Sequence, residues 1–295
     1  MQEELIKTAI IGIGAWGKNI ARELALVSDL AAYASQGSKA SAAWAREHIP
    51  KARASTIREI CDDPAIVAVL IATPTSSHAA IAQQCIAAGK QVFIEKPTAP
   101  TALKAQFITT EAEKSNLLLA TGYIFLYSPV YRELKRRIGN AAVTKVSAVW
   151  NKYGTFAEPI ELNLLTHHLA IALDLLGEAR TIALERPTAD GNEITATLTY
   201  DHAEFLSRIN RNSQEKVHTF EVTIEGGMSY LWNGPELLQR DTAADDYRQV
   251  YQSNEQPLTV ELTNFIKKIQ GIDAYLPTAG SFGVRVLALL ERAGS

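Results

Sequence analysis

"KTAIIGIGAWGKNIARELALV", residues 7–27, decides the fold class. Its first half is a short apolar run ending on glycine, the pattern of a buried strand. Its second half carries Ile20, Leu24 and Val27 at helical spacing. Between them Gly12, Gly14 and Gly17 spell G-x-G-x-x-G, directly after the strand and at the opening of the helix. In that context the first glycine permits a tight turn, and the second lets the backbone approach a diphosphate. The third lets helix and strand pack closely, while the helix amino terminus offers unsatisfied N–H groups. The whole loop, Gly12, Ile13, Gly14, Ala15, Trp16 and Gly17, is the first candidate for holding a nicotinamide dinucleotide.

Outward from this stretch the same alternation continues. "LAAYAS" at 30–35 reads as a second strand, and 39–48 as a helix stopped by Pro50. A further helical segment covers 56–62. "IVAVLIAT" at 66–73 is a continuous apolar run suited to a strand covered on both faces. "SHAAIAQQCIAAG" at 77–89 is a helix closed by Gly89. "QVFIEKP" at 91–97 is the next strand, and a helix near 101–115 leads to "LLLATGY". Strand and helix in regular alternation predict a parallel α/β sheet, a Rossmann dinucleotide-binding domain over residues 1–121.

After residue 121 the pattern changes. Strands are expected at 141–152, 180–187, 192–201 and 203–210, with two more in 216–232 separated by Gly226–Gly227. Their close spacing predicts antiparallel pairing. A helix at 161–177 interrupts the series, and helices near 256–270 and 281–292 finish the chain. The expectation is an α+β domain over 122–295, built on a largely antiparallel open sheet, with a cleft against the first domain.

Composition narrows the class. Apolar residues make up 47% and charged residues 21% of the chain, as in ordinary soluble globular proteins. The formal charge of −3 gives no general attraction to nucleic acid or anionic membrane, so neither partner is expected. Cys61 and Cys85 sit in unrelated contexts without C-x-x-C spacing, which suggests neither a disulfide framework nor a thiolate metal site. The start, "MQEELIKTAIIGIGAWG", is acidic with a brief apolar run, unlike a secretory signal, and no segment reaches ~20 apolar residues. A cytoplasmic, reducing setting is the expectation.

The second strand ends "AYASQGSK", so Ser35 stands where an NAD-binding chain usually carries Asp or Glu. A hydroxyl accommodates a ribose phosphate without repulsion, and Lys39 would neutralise it. The arginine that often follows such a serine is Gln36 here. NADP is therefore expected, with NAD the alternative.

"VLIATPTSSHAAIAQQCIAAGKQVFIEKPTAP" at 69–100 is more specific than the glycines. It resembles the glucose–fructose oxidoreductase and inositol dehydrogenase (Gfo/Idh/MocA) family. The resemblance extends through "TGYIFLYSPVYRELKRRIG" at 121–139 and "LLTHHLAIALDLLG" at 164–177. It is closest to members acting on sugar nucleotides or amino sugars. The resemblance implies that Ala72, Thr73, Pro74 and His78 lie along the cofactor, and that Glu95 and Lys96 sit at the mouth of the sheet. Lys96 would interact with the substrate hydroxyl, and the peptide before Pro97 is commonly cis in relatives. Independently, Lys96 ends a parallel strand, the edge where α/β ligands bind.

The family's signature of Asp, three residues, then His aligns with Asn163 and His167 when counted back from Gly177. His167 so inherits the substrate-facing role. His168 points elsewhere on the helix and is read as structural, as is Asp174. Asn163, His167, Ala170 and Asp174 share one face of a regular helix. The departure is Asn163: an amide orients an imidazole but supplies no charge. No metal is implied, since adjacent histidines without an Asp, Glu or Cys partner make a poor ligand set. Tyr123, Lys152 and Tyr153 are further candidates for substrate hydroxyls, although Tyr123 suits packing equally.

The implied activity is hydride transfer between NADP or NAD and a secondary alcohol or ketone carbon of a sugar, sugar-nucleotide or cyclitol-like substrate. Lys96 and His167 would handle the hydroxyl proton, with the division of labour between them open. The alternatives are reduction of a non-sugar carbonyl or imine, and a non-catalytic dinucleotide sensor. The open sheet resembles that through which relatives pair, so a homodimer or homotetramer is expected.

Overall fold

A computed structural model describes residues 5–36, 39–154 and 158–293. The chain divides into two compact units. The first begins with β1 (Lys7–Ile11), α1 (Ala15–Val27), β2 (Asp29–Ala34), α2 (Lys39–His48), β3 (Arg53–Ala54) and α3 (Ile57–Asp62). It continues through β4 (Ala68–Ile71), α4 (Thr75–Ala87), β5 (Gln91–Glu95), α5 (Ala102–Lys114) and β6 (Leu119–Gly122). The strands form one parallel sheet in the order β3-β2-β1-β4-β5-β6.

Both faces of this sheet are covered, which explains its uninterrupted apolar runs. Successive side chains alternate. Ala9 and Ile11 of β1 join Val69, Ile71, Val92 and Ile94 in a core shared with Ile60 and Ile81 of α3 and α4. Ile10 faces the other way, with Leu70, Phe93 and Ala120, against Ile20 and Leu24 of α1. The remainder of that second face is covered from the far end of the sequence. After the other unit the chain returns as α8 (Pro257–Ile269), whose Leu258, Leu262 and Phe265 join this core. Phe265 meets Phe93 edge to face, with ring centroids 5.5 Å apart. Each such buried side chain is worth about 1.5–3 kcal/mol, so the sheet recruits a distant helix. The division is consequently not a single cut: Pro257–Arg285 groups with residues up to Ile124.

The second unit holds α6 (Pro129–Ile138), β7 (Val143–Asn151), α7 (Thr166–Leu176), β8 (Thr181–Glu185), β9 (Glu193–Thr199) and β10 (Glu204–Asn210). β11 (Val217–Ile224), β12 (Ser229–Asn233), β13 (Glu236–Arg240) and β14 (Arg248–Gln252) complete its sheet. The order is β14-β13-β12-β11-β7-β10-β9-β8. Most pairs are antiparallel, but β7 and β10 run parallel, contrary to the expectation from spacing. The reason is long-range: β8, β9 and β10 form their own antiparallel meander, whose last strand docks beside β7. α9 (Phe282–Arg292) ends the chain, with its last turn anchored by Arg292 to the carbonyls of Ala179 and Arg180.

α6 is a helix that the strand-centred reading of this half left out. Its signals are local: Ser128 caps the Tyr131 N–H, Pro129 occupies the first turn, and Gly139 follows the end at φ +55°. Among the described residues no helix is long and apolar enough to cross a membrane, and no group of three His, Cys, Asp or Glu side chains is placed to hold a metal ion.

Candidate active site

In the first unit the three glycines have separate physical reasons. Gly12 sits at φ +103°, donates its N–H to the Ala34 carbonyl at 2.8 Å, and faces the Ala72 carbonyl where a Cβ would collide. Gly17 lies so close to the Gly12 carbonyl that a methyl group would overlap it. Gly14 differs. Its backbone is extended, and no heavy atom lies within 4 Å of where its Cβ would be. Nothing in the fold demands that glycine.

α1 opens immediately after it with no side-chain cap and no acidic residue in its first turn. Its first N–H groups and the positive end of its dipole are left to an incoming anion. A cavity of about 610 Å³ adjoins this end, lined by Gly12, Gly14, Ser35, Thr73 and Ser77 among others. An open helix amino terminus, an unfilled approach at Gly14 and a hydroxyl-lined wall fit the diphosphate and ribose of a dinucleotide.

Ser35 lines this cavity, but Lys39 does not. Lys39 is exposed at the first residue of α2, and the nearer polar side chain from that helix is Ser41. Ser55, Thr56 and Ile57 close another part of the wall, and sequence reasoning missed them. Their signal was present: Thr56 and Glu59 form a reciprocal capping box at the start of α3, the S/T-x-x-E pattern.

Thr73 and Pro74 stand between β4 and α4, where the Thr73 hydroxyl accepts from Ser77 Oγ at 2.8 Å. His78 faces two main-chain carbonyls. It is 1% exposed, and its ring nitrogens lie 2.7 Å from the Thr73 carbonyl and 2.9 Å from that of Pro97. It therefore ties the Thr73–Pro74 turn to the turn after β5. The Lys96–Pro97 peptide in that turn is cis.

Glu95 ends β5 with its carboxylate buried, and it accepts from the Trp16 indole and, at 3.2 Å, from the Lys96 main-chain N–H. Burial outweighs these donors and the Lys96 charge, so the carboxyl is pushed up to about 7. Glu261 of α8 is wholly buried nearby, and desolvation together with the Glu95 charge pushes it well above the carboxylate range. The Tyr123 N–H faces Glu261, but its well-formed bond goes to the Thr121 carbonyl at 3.0 Å. Tyr123 itself is 1% exposed and packs edge to face on Phe282. The ring, one residue beyond β6, is part of the core.

In the second unit His167 is largely buried, against Phe125 at 4.9 Å and Trp150 at 5.6 Å between ring centroids. The helix is not regular before it. Glu161–Leu165 is a π-helical turn, so Asn163 does not precede His167 by an ordinary α-helical turn. That corrects the single-face reading, which assumed one period throughout. His168 is fully buried, with Nδ1 2.7 Å from Ser207 Oγ on β10 and Nε2 3.4 Å from His218 Nε2 on β11. Burial holds His168 well below its usual range, and burial with the Lys152 charge pushes His218 down to about 3. Both are neutral structural groups at pH 7.

Asp174 accepts from Tyr131 Oη at 2.6 Å and Lys135 Nζ at 2.8 Å, fastening α7 to α6. Lys152 follows β7, half-buried, with burial and the Lys216 charge lowering its pKa. Tyr153 is 74% exposed.

Residues 6–123 match the Gfo/Idh/MocA model, described as an oxidoreductase family with an NAD-binding Rossmann fold. The chain is 31% identical over 87 residues to the scyllo-inositol 2-dehydrogenase (NAD(+)) of Bacillus subtilis, spanning 30% of this chain but only 25% of that protein. It is 26% identical over 248 residues to the UDP-N-acetylglucosamine 3-dehydrogenase of Acidithiobacillus ferrooxidans, spanning 80% of this chain and 77% of that one. A solved structure of the latter superposes with a TM-score of 0.88 at 23% identity, covering 98% and 96% of the two chains. A levoglucosan dehydrogenase complex with NADH and levoglucosan superposes with a TM-score of 0.83 at 19% identity, covering the same shares. At such identities the superpositions establish the fold alone.

Proposed function

We propose that the chain, whose residues 6–123 match the Gfo/Idh/MocA oxidoreductase model, is an oxidoreductase of that family that transfers a hydride between a nicotinamide dinucleotide and a CH–OH carbon of a sugar- or cyclitol-like substrate. The observation that carries this reading is the unfilled approach at Gly14, beside an uncapped helix amino terminus and a cavity of about 610 Å³. When bound, the nicotinamide supplies the hydride donor or acceptor. The rest falls to the chain.

Gly12, Gly14 and the first turn of α1 hold the diphosphate. Ser35 and Ser41 receive the adenosine ribose, and Thr73 and Pro74 support the nicotinamide half. Lys96 takes the hydroxyl proton in oxidation and returns it in reduction. In the second unit, His167 is the proposed hydrogen-bonding residue for substrate. The absence of an acidic side chain at Ser35 favours NADP over NAD. The extent of similarity to the UDP-N-acetylglucosamine 3-dehydrogenase favours a sugar-nucleotide substrate over a free cyclitol. Self-association through the open sheet of the second unit completes the proposal.

Calorimetry with NADPH and NADH, followed by a panel of UDP-linked sugars, free sugars and cyclitols, tests this. With an active substrate, Lys96→Ala should slow hydride transfer by roughly 100-fold or more, the scale of a positioned proton-transfer group. His167→Ala should slow it with dinucleotide affinity unchanged. Tight dinucleotide binding with no turnover of any of these classes overturns the enzymatic reading.

A further inference from the structure

Cys61 and Cys85 are 24 positions apart with no local motif linking them, yet their Sγ atoms lie 4.0 Å apart. Cys61 is half-buried near the end of α3, and Cys85 is fully buried in the last turns of α4. Each cysteine has a direct line to the dinucleotide cavity. Ile57 and Ile81 line that cavity, and each precedes its cysteine by four residues, about one helical turn. Behind the thiols the Lys90 side chain is buried, with Nζ on the carbonyls of Asp63 at 2.6 Å and Ile66 at 2.8 Å. Its charge acts on both sulfurs, while Asp62 opposes it at Cys61.

We propose that Cys61 and Cys85 are an oxidisable dithiol, which a peroxide converts to a disulfide that draws α3 toward α4 and reshapes the dinucleotide cavity. The Cys85 S–H and the Lys90 charge bring the Cys61 thiol down to about 7, whereas the bond to Cys61, together with burial, pushes Cys85 up. Cys61 is thus the nucleophile, and it is the one that solvent reaches. Its thiolate attacks a peroxide oxygen: an S–O bond forms, the O–O bond breaks, and hydroxide leaves to become water. Cys85 sulfur then attacks the Cys61 sulfenic acid. The S–S bond forms, the S–O bond breaks, and the Cys85 proton leaves with the hydroxyl as a second water. Two thiols lose two electrons and one peroxide gains them.

A disulfide holds its sulfurs about 2 Å apart, so the pair must close by about 2 Å from its present separation. One turn away, Ile57 and the Thr56 cap on one side, and Ile81 and Ser77 on the other, receive that movement. Formation of the disulfide needs no cofactor; its effect on dinucleotide affinity rests on the function proposed above.

The test oxidises the reduced full-length chain, Cys61→Ser and Cys85→Ala with hydrogen peroxide, then maps peptides by mass spectrometry. The wild type should yield a linked Cys61–Cys85 peptide that dithiothreitol reverses, and neither variant should. Hydrogen exchange at residues 55–57 and 73–77 should change in the oxidised wild type alone. NADPH affinity, read by its fluorescence, should change by roughly tenfold, a shift well above measurement error. Oxidation of Cys61 beyond the sulfenic acid without linkage overturns the proposal. So does a linked protein whose exchange and affinity match the reduced one. Should the reduced protein bind neither NADPH nor NADH, the function proposed above fails, and linkage and exchange still decide the dithiol.

Discussion

Replacing Glu95 with glutamine should stabilise the protein at alkaline pH and barely affect it at acidic pH. In the folded chain this carboxyl titrates at about 7 in place of 4.5, because burial outweighs its hydrogen bonds. The folded state therefore keeps a proton that the unfolded state has already released. By linkage, stability is lost as pH rises from about 4.5 to about 7, and the loss is complete above that window. At about 1.36 kcal/mol per unit the full penalty is about 3 kcal/mol near pH ~8, and about 1 kcal/mol near pH ~5. Glutamine has no charge to desolvate at either pH, and its carbonyl still accepts from the Trp16 indole. The stability difference between variant and wild type should thus move by about 2 kcal/mol in favour of the variant between those two pH values. Urea unfolding at both pH values reads it directly. With a slope of ~2 kcal/mol per molar, the relative midpoints should shift by about 1 M. A difference that stays constant across the two pH values refutes the reasoning, since a lost contact alone carries no such pH dependence.

The last two glycines of the loop should separate binding from folding. Gly14→Leu has open space for its Cβ and should fold normally while losing dinucleotide affinity by calorimetry; Gly17→Ala meets the Gly12 carbonyl and should lower stability by about 1–3 kcal/mol or more in denaturant titration. Ser35→Asp should reverse a preference for NADPH toward NADH, because a carboxylate repels a ribose phosphate; unchanged dissociation constants for both cofactors would separate Ser35 from that ribose. His168→Ala removes a buried ring and leaves Ser207 and His218 without their partner, so it should cost about 2–4 kcal/mol in urea while hydride-transfer rates at saturation change little. Asn163→Asp lies in the π-helical turn before His167, and should move the pH profile of turnover if that carboxylate reaches the imidazole; an unmoved profile would uncouple the two.

Residues 7–27 sufficed for the first half of the fold because their signals are local. A strand period, a glycine turn and a helix period follow one another within a few residues, and the pattern repeats down to Gly122. Gly12, Gly14 and Gly17 were legible for the same reason, as were Ser35 and Thr73, which follow the ends of β2 and β4, the edge where such sheets bind ligands. Other features depend on partners far away along the chain. The strands of the second unit bury alternate residues, a pattern that serves a parallel neighbour as well as an antiparallel one, so only the docking of β10 beside β7 settles their direction. Glu261 sits in an ordinary amphipathic helix, and no periodicity indicates that α8 returns to the first sheet and buries that carboxyl near Glu95. The π-helical turn before His167 changes a helical face without leaving a mark in composition. Cys61 and Cys85 have unrelated sequence contexts because it is the packing of α3 and α4 on one face of the sheet, each cysteine a turn beyond an isoleucine of the cavity wall, that makes them neighbours.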